Sequence, residues 1–324
     1  MQKPYQLEDI TVIIPTYNRS EDLAITLKSL LPSAKKLKEI IIVDQSSDEK
    51  TKKLIKKLNN KKIKYVYSKI PSISISRNIG IKNLSGNSRI VCFLDDDVNI
   101  SKLYFDKILE VFNTESGALA VGGYIGCPKM GFFAKLENFL KKIFFIGHYE
   151  KNAARIISAY GNSYPSFLNR VITAQWLPGV NMVYKKEVFN EQKFDENLLG
   201  YTIAEDIDFG YRLWKKHPES IFITPYAKII HRASKIERCP TKKMGYINQI
   251  DHFYFFLKNM GGSAVYKLKF AWSLLGISLL RTLNMLIKPS KITYLKWKYF
   301  FSSLFYCLFN LSKIRKGILR DFQE

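Results

Sequence analysis

Short apolar runs rich in Ile and Val recur through the first hundred residues, at Ile10–Ile14, Ile40–Val43, Ile63–Tyr67 and Ile90–Leu94. Each is short enough for a strand and too apolar to be solvated on both faces. Between them lie stretches with helical spacing. Ser20-Glu21-Asp22 precedes Leu23, Ile25, Leu27 and Leu30, and Ser46-Ser47-Asp48-Glu49 precedes Leu54, Ile55 and Leu58. The pattern predicts serine caps followed by first-turn acids, which satisfy free amides and suit the helix dipole. The alternation βαβαβαβ predicts an α/β fold, a mostly parallel sheet flanked by helices.

Open parallel sheets bind ligands beyond the carboxyl ends of their strands, so the residues that follow each strand are informative. Pro15-Thr16-Tyr17-Asn18-Arg19 follows the first run, Asp44-Gln45-Ser46-Ser47 the second and Asp95-Asp96-Asp97 the fourth. Polar and acidic groups therefore gather on one edge. From Ser101 to Arg232 the pattern is mixed. It predicts a helix at Lys102–Phe112, strands near Ala118–Gly123, Asn181–Tyr184 and Ile221–Thr224, and no long linker, hence one continuous globule.

The last ninety residues are different in kind. From Lys235 onward they hold sixteen Lys or Arg against four acids, and two aromatic-rich apolar runs, Phe270–Ile287 and Tyr299–Leu311. Arg281 interrupts the first run and the second is short, so both are marginal as spans and read as basic, amphipathic, interfacial helices. A further helical pattern, Phe132, Phe133, Leu136, Phe139, Leu140, Ile143 and Phe144 with Lys135, Lys141 and Lys142 opposite, fits either a helix packed on the core or one that faces a membrane.

The whole chain carries 51 Lys and Arg against 28 Asp and Glu, a net of +23, which favours polyanionic partners: nucleic acid, anionic lipid or phosphorylated metabolites. Its apolar content excludes disorder over most of the length. The cysteines, Cys92, Cys127, Cys239 and Cys307, form no CxxC pair and point to a reducing compartment. Met1 to Glu8 is polar with no apolar h-region, so no secretory signal is expected and the chain is expected in the cytosol.

Asp95-Asp96-Asp97 is the sharpest chemical signal. Carboxylates placed together after a buried strand repel one another unless a cation such as Mg²⁺ or Mn²⁺ neutralises them. A solvated acidic turn is the plain alternative. Ala204-Glu205-Asp206-Ile207-Asp208 opens a helix with more acids than a cap needs, so one is a candidate general base. His231, Arg77-Asn78 and Pro178-Gly179 are weaker pointers, to a metal, to a phosphate or base edge, and to close backbone approach respectively.

In order along the chain, Val12-Ile13-Ile14-Pro15-Thr16-Tyr17-Asn18-Arg19, Ile42-Val43-Asp44-Gln45-Ser46-Ser47, Ser76-Arg77-Asn78-Ile79-Gly80, Phe93-Leu94-Asp95-Asp96-Asp97, Pro178-Gly179-Val180-Asn181-Met182 and Glu205-Asp206 resemble family 2 of the glycosyltransferases, with the GT-A fold. The resemblance runs from about Ile10 to Arg232. It implies that Pro15, Tyr17, Arg19 and Asp44 line a nucleotide pocket, with Asp44 on the base and Arg77 on the base or diphosphate. Asp95 would face the ribose, with Asp96 beside it. Asp97 and His231 would hold a divalent cation. Asp206 matches the family's catalytic base and Glu205 its acidic neighbour, and Gly179 and Asn181 fall in the acceptor or sugar region.

The resemblance further implies an inverting, metal-assisted single displacement from a nucleotide-diphosphate sugar to a hydroxyl of a glycan or lipid-linked acceptor. No Gln-x-x-Arg-Trp motif of processive members follows Asp206, so addition of one sugar is expected. Gln45 stands where the family usually has an acid. The implied organisation is a nucleotide-sugar-binding half at 1–100, an acceptor-binding and catalytic half at 101–234, and a helical, membrane-associating region at 235–324 on the cytoplasmic face. Acceptor contacts are expected between Gly123 and Trp176. Two rivals stand beside this reading. One is a sugar-phosphate nucleotidyltransferase, which lacks support from any Gly-rich triphosphate loop. The other is a nucleic-acid-binding protein, for which the chain has charge but no signature motif, and whose phosphates three adjacent carboxylates would repel.

Overall fold

The computed structural model describes residues 3–234 and 240–323; Cys239 and the expected boundary at Lys235 lie outside the described residues. In chain order the elements run β1 (Ile10–Thr16), α1 (Ser20–Ala34), β2 (Glu39–Asp44), α2 (Lys50–Leu58), β3 (Ile63–Tyr67), α3 (Ile73–Lys82), β4 (Ile90–Leu94) and β5 (Val98–Ile100). Then come α4 (Tyr104–Thr114), β6 (Ala120–Gly123), α5 (Phe132–Ile143), β7 (His148–Glu150), β8 (Ile156–Ser158), β9 (Gly161–Pro165), β10 (Ile172–Ala174) and β11 (Asn181–Lys185). The remainder is α6 (Val188–Glu191), α7 (Glu205–Lys216), β12 (Ile221–Thr224), β13 (Ile229–His231), α8 (Thr241–Asn259), α9 (Ala264–Ile287), α10 (Lys291–Phe309) and α11 (Leu311–Arg315).

The chain forms two compact units. The first comprises Met1–Gly126, Leu168–Glu196 and Glu205–Arg238; the second comprises Cys127–Phe167, Asn197–Ala204 and Cys239–Glu324. The first is built on an eight-stranded sheet of order β10-β12-β6-β11-β4-β1-β2-β3. β4, β1, β2 and β3 run parallel, β11 is antiparallel to β4 and β6, and β12 is parallel to β6. This is the mostly parallel α/β sheet that the alternation predicts. β1, β2 and β4 are almost wholly buried because helices cover both faces. β3 sits at the sheet edge, which is why Tyr67 is exposed.

Helical spacing places Leu23, Leu27, Leu30 and Ala34 of α1, and Tyr104, Phe105, Ile108 and Phe112 of α4, in one core with Val12, Ile14, Ile40, Ile42 and Cys92 of the strands. α3 approaches β1 so closely that a Cβ on Gly80 would lie 2.4 Å from Ile13 Cγ2. Glycine is required there by space.

Several local expectations shift. Ser20 is the first residue of α1 rather than its cap, and α2 is preceded by Glu49, with no side-chain cap bond at either start. Ser46 instead accepts the Asn18 amide, because it bridges the loops after β1 and β2. Serines do cap α3 and α10, where Ser72 and Ser290 accept the amides of Ile75 and Thr293. The apolar stretch after Ile221 is two strands, β12 and β13, in different sheets. β5, β7, β8, β10 and α6 are too short to carry a readable period, and β9, Gly161-Asn162-Ser163-Tyr164-Pro165, has no aliphatic residue to mark one.

In the second unit, β7, β9 and β8 form a small sheet beside α5 and α8 to α11. The Asn138 side chain holds the Tyr149 backbone at 2.7 and 2.9 Å and ties α5 to β7, yet α5 buries no residue fully and leaves Phe132, Phe133, Leu136 and Phe139 exposed. α9 packs through Gly276 on Phe144 and through Ser273 on Ser158. It is 24 residues long and apolar enough to cross a membrane by length and composition. The described cysteines, Cys92, Cys127 and Cys307, are free thiols.

Candidate active site

The site grows from the end of β4. Parallel pairing sets Thr16 of β1 opposite Asp44 of β2, and antiparallel pairing sets Leu94 of β4 opposite Asn181 of β11. The ends of β1, β2 and β4 therefore share one edge. The turn before β11 joins them, with the Asp95 amide donating to the Val180 carbonyl.

Asp95-Asp96-Asp97 splits by direction. Asp96 turns inward: Thr16 Oγ1 donates to it at 2.7 Å, and Arg19 Nη1 lies 3.4 Å away. Burial pushes its carboxyl up to about 7 despite both partners. Asp95 and Asp97 turn the other way and meet His231, with one ligand atom from each lying within 4.8 Å of the others. The long-range element here is the short ladder between β5 and β13, which sets His231 opposite Val98. His231 Nε2 lies 3.1 Å from Asp97 Oδ1, and the Ser234 amide donates to Asp97 Oδ2 at 2.8 Å. Burial alone would raise Asp97, but His231 and the Ser234 amide hold its carboxyl below the usual value. Burial raises Asp95, against Arg77. Two carboxylates and an imidazole, with ligand atoms within 4.8 Å of one another, fit a divalent cation.

Beside this cluster Arg77, fully buried on α3, organises the acids of α7. Its Nη1 donates to Glu205 Oε1 at 2.9 Å and its Nη2 to the Gly179 carbonyl at 3.1 Å, with Asp95 Oδ1 at 3.8 Å. The Phe194 and Phe93 rings lie under the guanidinium, 5.2 and 6.0 Å from their centroids. Asp206 is gripped by two amides, from Gly179 at 2.7 Å and Ile207 at 2.7 Å. Burial raises both carboxyls, Glu205 to about 8 with the charge of Asp206 adding to it. Gly179 has no room for a side chain, since a Cβ would sit 2.9 Å from Arg77 Nη2.

Pro15 lies buried at the end of β1, while Tyr17 is partly exposed at the same edge. Asp44 is fully buried, taking the Tyr65 hydroxyl at 2.8 Å and the Ser46 amide at 3.0 Å. Burial and the Asp44 carboxylate push the Tyr65 phenol up, so it remains a donor. Gln45 accepts the amide of Ser72 and so fixes the start of α3.

Asn181, next to this edge, is fully buried, with its Oδ1 accepting the Gly123 amide and its Nδ2 donating to the Gly123 carbonyl, so its side chain braces β11 to β6. Thr16, Tyr65 and Ser234 had no signal of their own in the sequence, although Thr16 lies inside the first motif.

Fold and site together define a GT-A-type glycosyltransferase domain. The family model described as "Glycosyl transferase family 2" matches residues 11–190, and the chain belongs to that family. The chain is similar to glycosyltransferase GlyA of Streptococcus pneumoniae, 27% identical over 198 residues, which are 60% of this chain and 27% of that protein. It is similar to the chondroitin synthase of Escherichia coli, 26% identical over 234 residues, 66% of this chain and 33% of that one. The chain thus spans a third or less of these two curated relatives. Among solved structures, the mannosyltransferase PcManGT of Pyrobaculum calidifontis, in complex with GDP-Man and Mn²⁺, shares the fold with a TM-score of 0.56 at 14% identity, covering 94% of this chain and 88% of that one.

Proposed function

We propose that the chain transfers one sugar from a nucleoside-diphosphate donor to a hydroxyl of a glycan or lipid-linked acceptor, by a single in-line displacement that inverts the anomeric centre. The observation that carries this reading is the convergence of Asp95, Asp97 and His231 with the Arg77–Glu205–Asp206 group on one sheet edge. In this reading Asp206 takes the acceptor proton as the oxygen attacks; its two backbone donors fix its direction and its burial raises its basicity. Glu205 positions Arg77, whose charge faces the donor's diphosphate or base. Asp44, oriented by Tyr65, recognises the base, with Pro15, Tyr17 and Arg19 around it and Asp95 and Asp96 toward the ribose. Asp97 and His231, joined by Asp95, would hold Mn²⁺ or Mg²⁺, which when bound supplies positive charge to the departing diphosphate.

PcManGT, bound to GDP-Man and Mn²⁺, supports the donor class, and the chondroitin synthase relative supports a role in polysaccharide assembly. The exposed aromatic residues of α5 and the basic, apolar helices of the second unit support attachment to the cytoplasmic face of a membrane. The test is calorimetric titration of UDP-, GDP- and dTDP-sugars with and without Mn²⁺. Metal-dependent binding of one donor, lost in Asp97→Ala, is expected. No binding across the panel would remove the reading.

A further inference from the structure

The second unit contains a cavity of about 450 Å³ that the donor chemistry does not use. Helical spacing builds its walls: Asn248 and His252 stand one turn apart on α8, and Ile277, Arg281 and Asn284 share one face of α9. Arg281 is the sole charged residue between Lys269 and Lys288. Its Nε is buried with no hydrogen bond. Among the described residues no carboxylate pairs with it, and its close neighbour is the Phe300 ring, 5.0 Å from centroid to guanidinium carbon. The acid that lines the cavity, Glu137, is already engaged by Lys141 at 2.7 Å.

The neutral lining adds donors. Tyr160 stacks on His252 and Phe270, at ring distances of 4.2 and 5.4 Å, and its buried hydroxyl is near Gln249 and Arg281. The amides of Asn248 and Asn284 complete the polar side, while Ile277 and Leu280 form an apolar wall. A half-buried guanidinium without a counter-charge, beside several neutral donors, matches a tetrahedral oxyanion. The volume exceeds what phosphate alone needs and suits a phosphate with an organic substituent.

We propose that this cavity binds a phosphate ester with an apolar substituent. Arg281 holds the phosphate, Tyr160, Asn248 and Asn284 share its oxygens, and Ile277 and Leu280 pack on the first carbons of the chain. The site rests on the lining of this cavity and not on the transfer reaction, so it is tested by binding alone.

The experiment is calorimetry on the full chain in neutral detergent with farnesyl phosphate, farnesol and inorganic phosphate as probes, for the unaltered chain, Arg281→Gln and Arg281→Lys. Farnesyl phosphate is expected to bind, at least tenfold more weakly in Arg281→Gln and to an intermediate degree in Arg281→Lys. Farnesyl phosphate far tighter than inorganic phosphate supports the proposal; equal affinities, both sensitive to Arg281, mark a free-phosphate site and overturn the apolar substituent. No binding of either phosphate, farnesol binding as tightly as its phosphate, or no effect of Arg281→Gln overturns the proposal. Should Arg281→Gln lose its helical circular dichroism, Asn284→Leu carries the same expected loss and the same overturning result.

Discussion

Arg77 and Glu205, 128 residues apart in the chain, meet as a buried pair at 2.9 Å between α3 and the first turn of α7. The same guanidinium reaches the Gly179 carbonyl and faces Asp95, so one side chain joins three loops of the site. Replacing it strips a donor from two buried acceptors. Arg77→Met is expected to cost about 3 kcal/mol of stability in urea unfolding, and to abolish donor binding in the fraction that folds.

Burial and Asp206 raise Glu205 from its ordinary 4.5 to about 8, which ties stability to pH. A carboxyl with a raised folded-state pKa binds its proton more tightly when folded, so its contribution is complete below about 4.5 and is lost as pH rises toward 8. Thermal unfolding followed between pH 5 and 8 should show stability falling, and Glu205→Gln should flatten that slope.

Asp206 must be ionised to accept a proton, and burial raises its pKa too. The acid limb of kcat/KM should therefore lie above the ordinary carboxylate range. Asp206→Asn is expected to reduce transfer by about 10²–10⁴-fold while donor affinity changes little. A parallel loss of donor binding would show that Asp206 acts on the donor instead.

The cation site makes a separable prediction. His231→Ala removes an imidazole that the β5–β13 ladder delivers to Asp97, and Mn²⁺ affinity should fall by about 10–100-fold or more. Helical circular dichroism should be unaffected.

Gly80→Ala is expected to destabilise the first unit by about 1–3 kcal/mol, because the new methyl lands against Ile13 in a filled core. Ile13→Val in the same chain should recover part of the loss. Full additivity of the two substitutions would mean that the contact is not the cause.

Much of the architecture is legible in local pattern. Isoleucine runs and amphipathic stretches mark β1 to β4 and the helices between them, since strand and helix periods are written over a few neighbours. The acids after β4 and at the start of α7 are legible for the same reason. The three-residue strands β5 and β13 are not, because a strand that short has no period, and yet they bring His231 to Asp97.

The sequence by itself determined the α/β class, the edge where polar groups collect and the residue types available there. Tertiary structure alone decided which of them meet. Asp96 turns inward to Thr16 while Asp95 and Asp97 turn the other way to His231, and the Asn181 side chain braces β11 to β6. Arg281, which reads in the sequence as a break in an apolar run, lines a cavity with Tyr160 from over a hundred positions away. Such pairings depend on strand register and helix packing, which join distant segments through burial of their faces, and no local repeat records them.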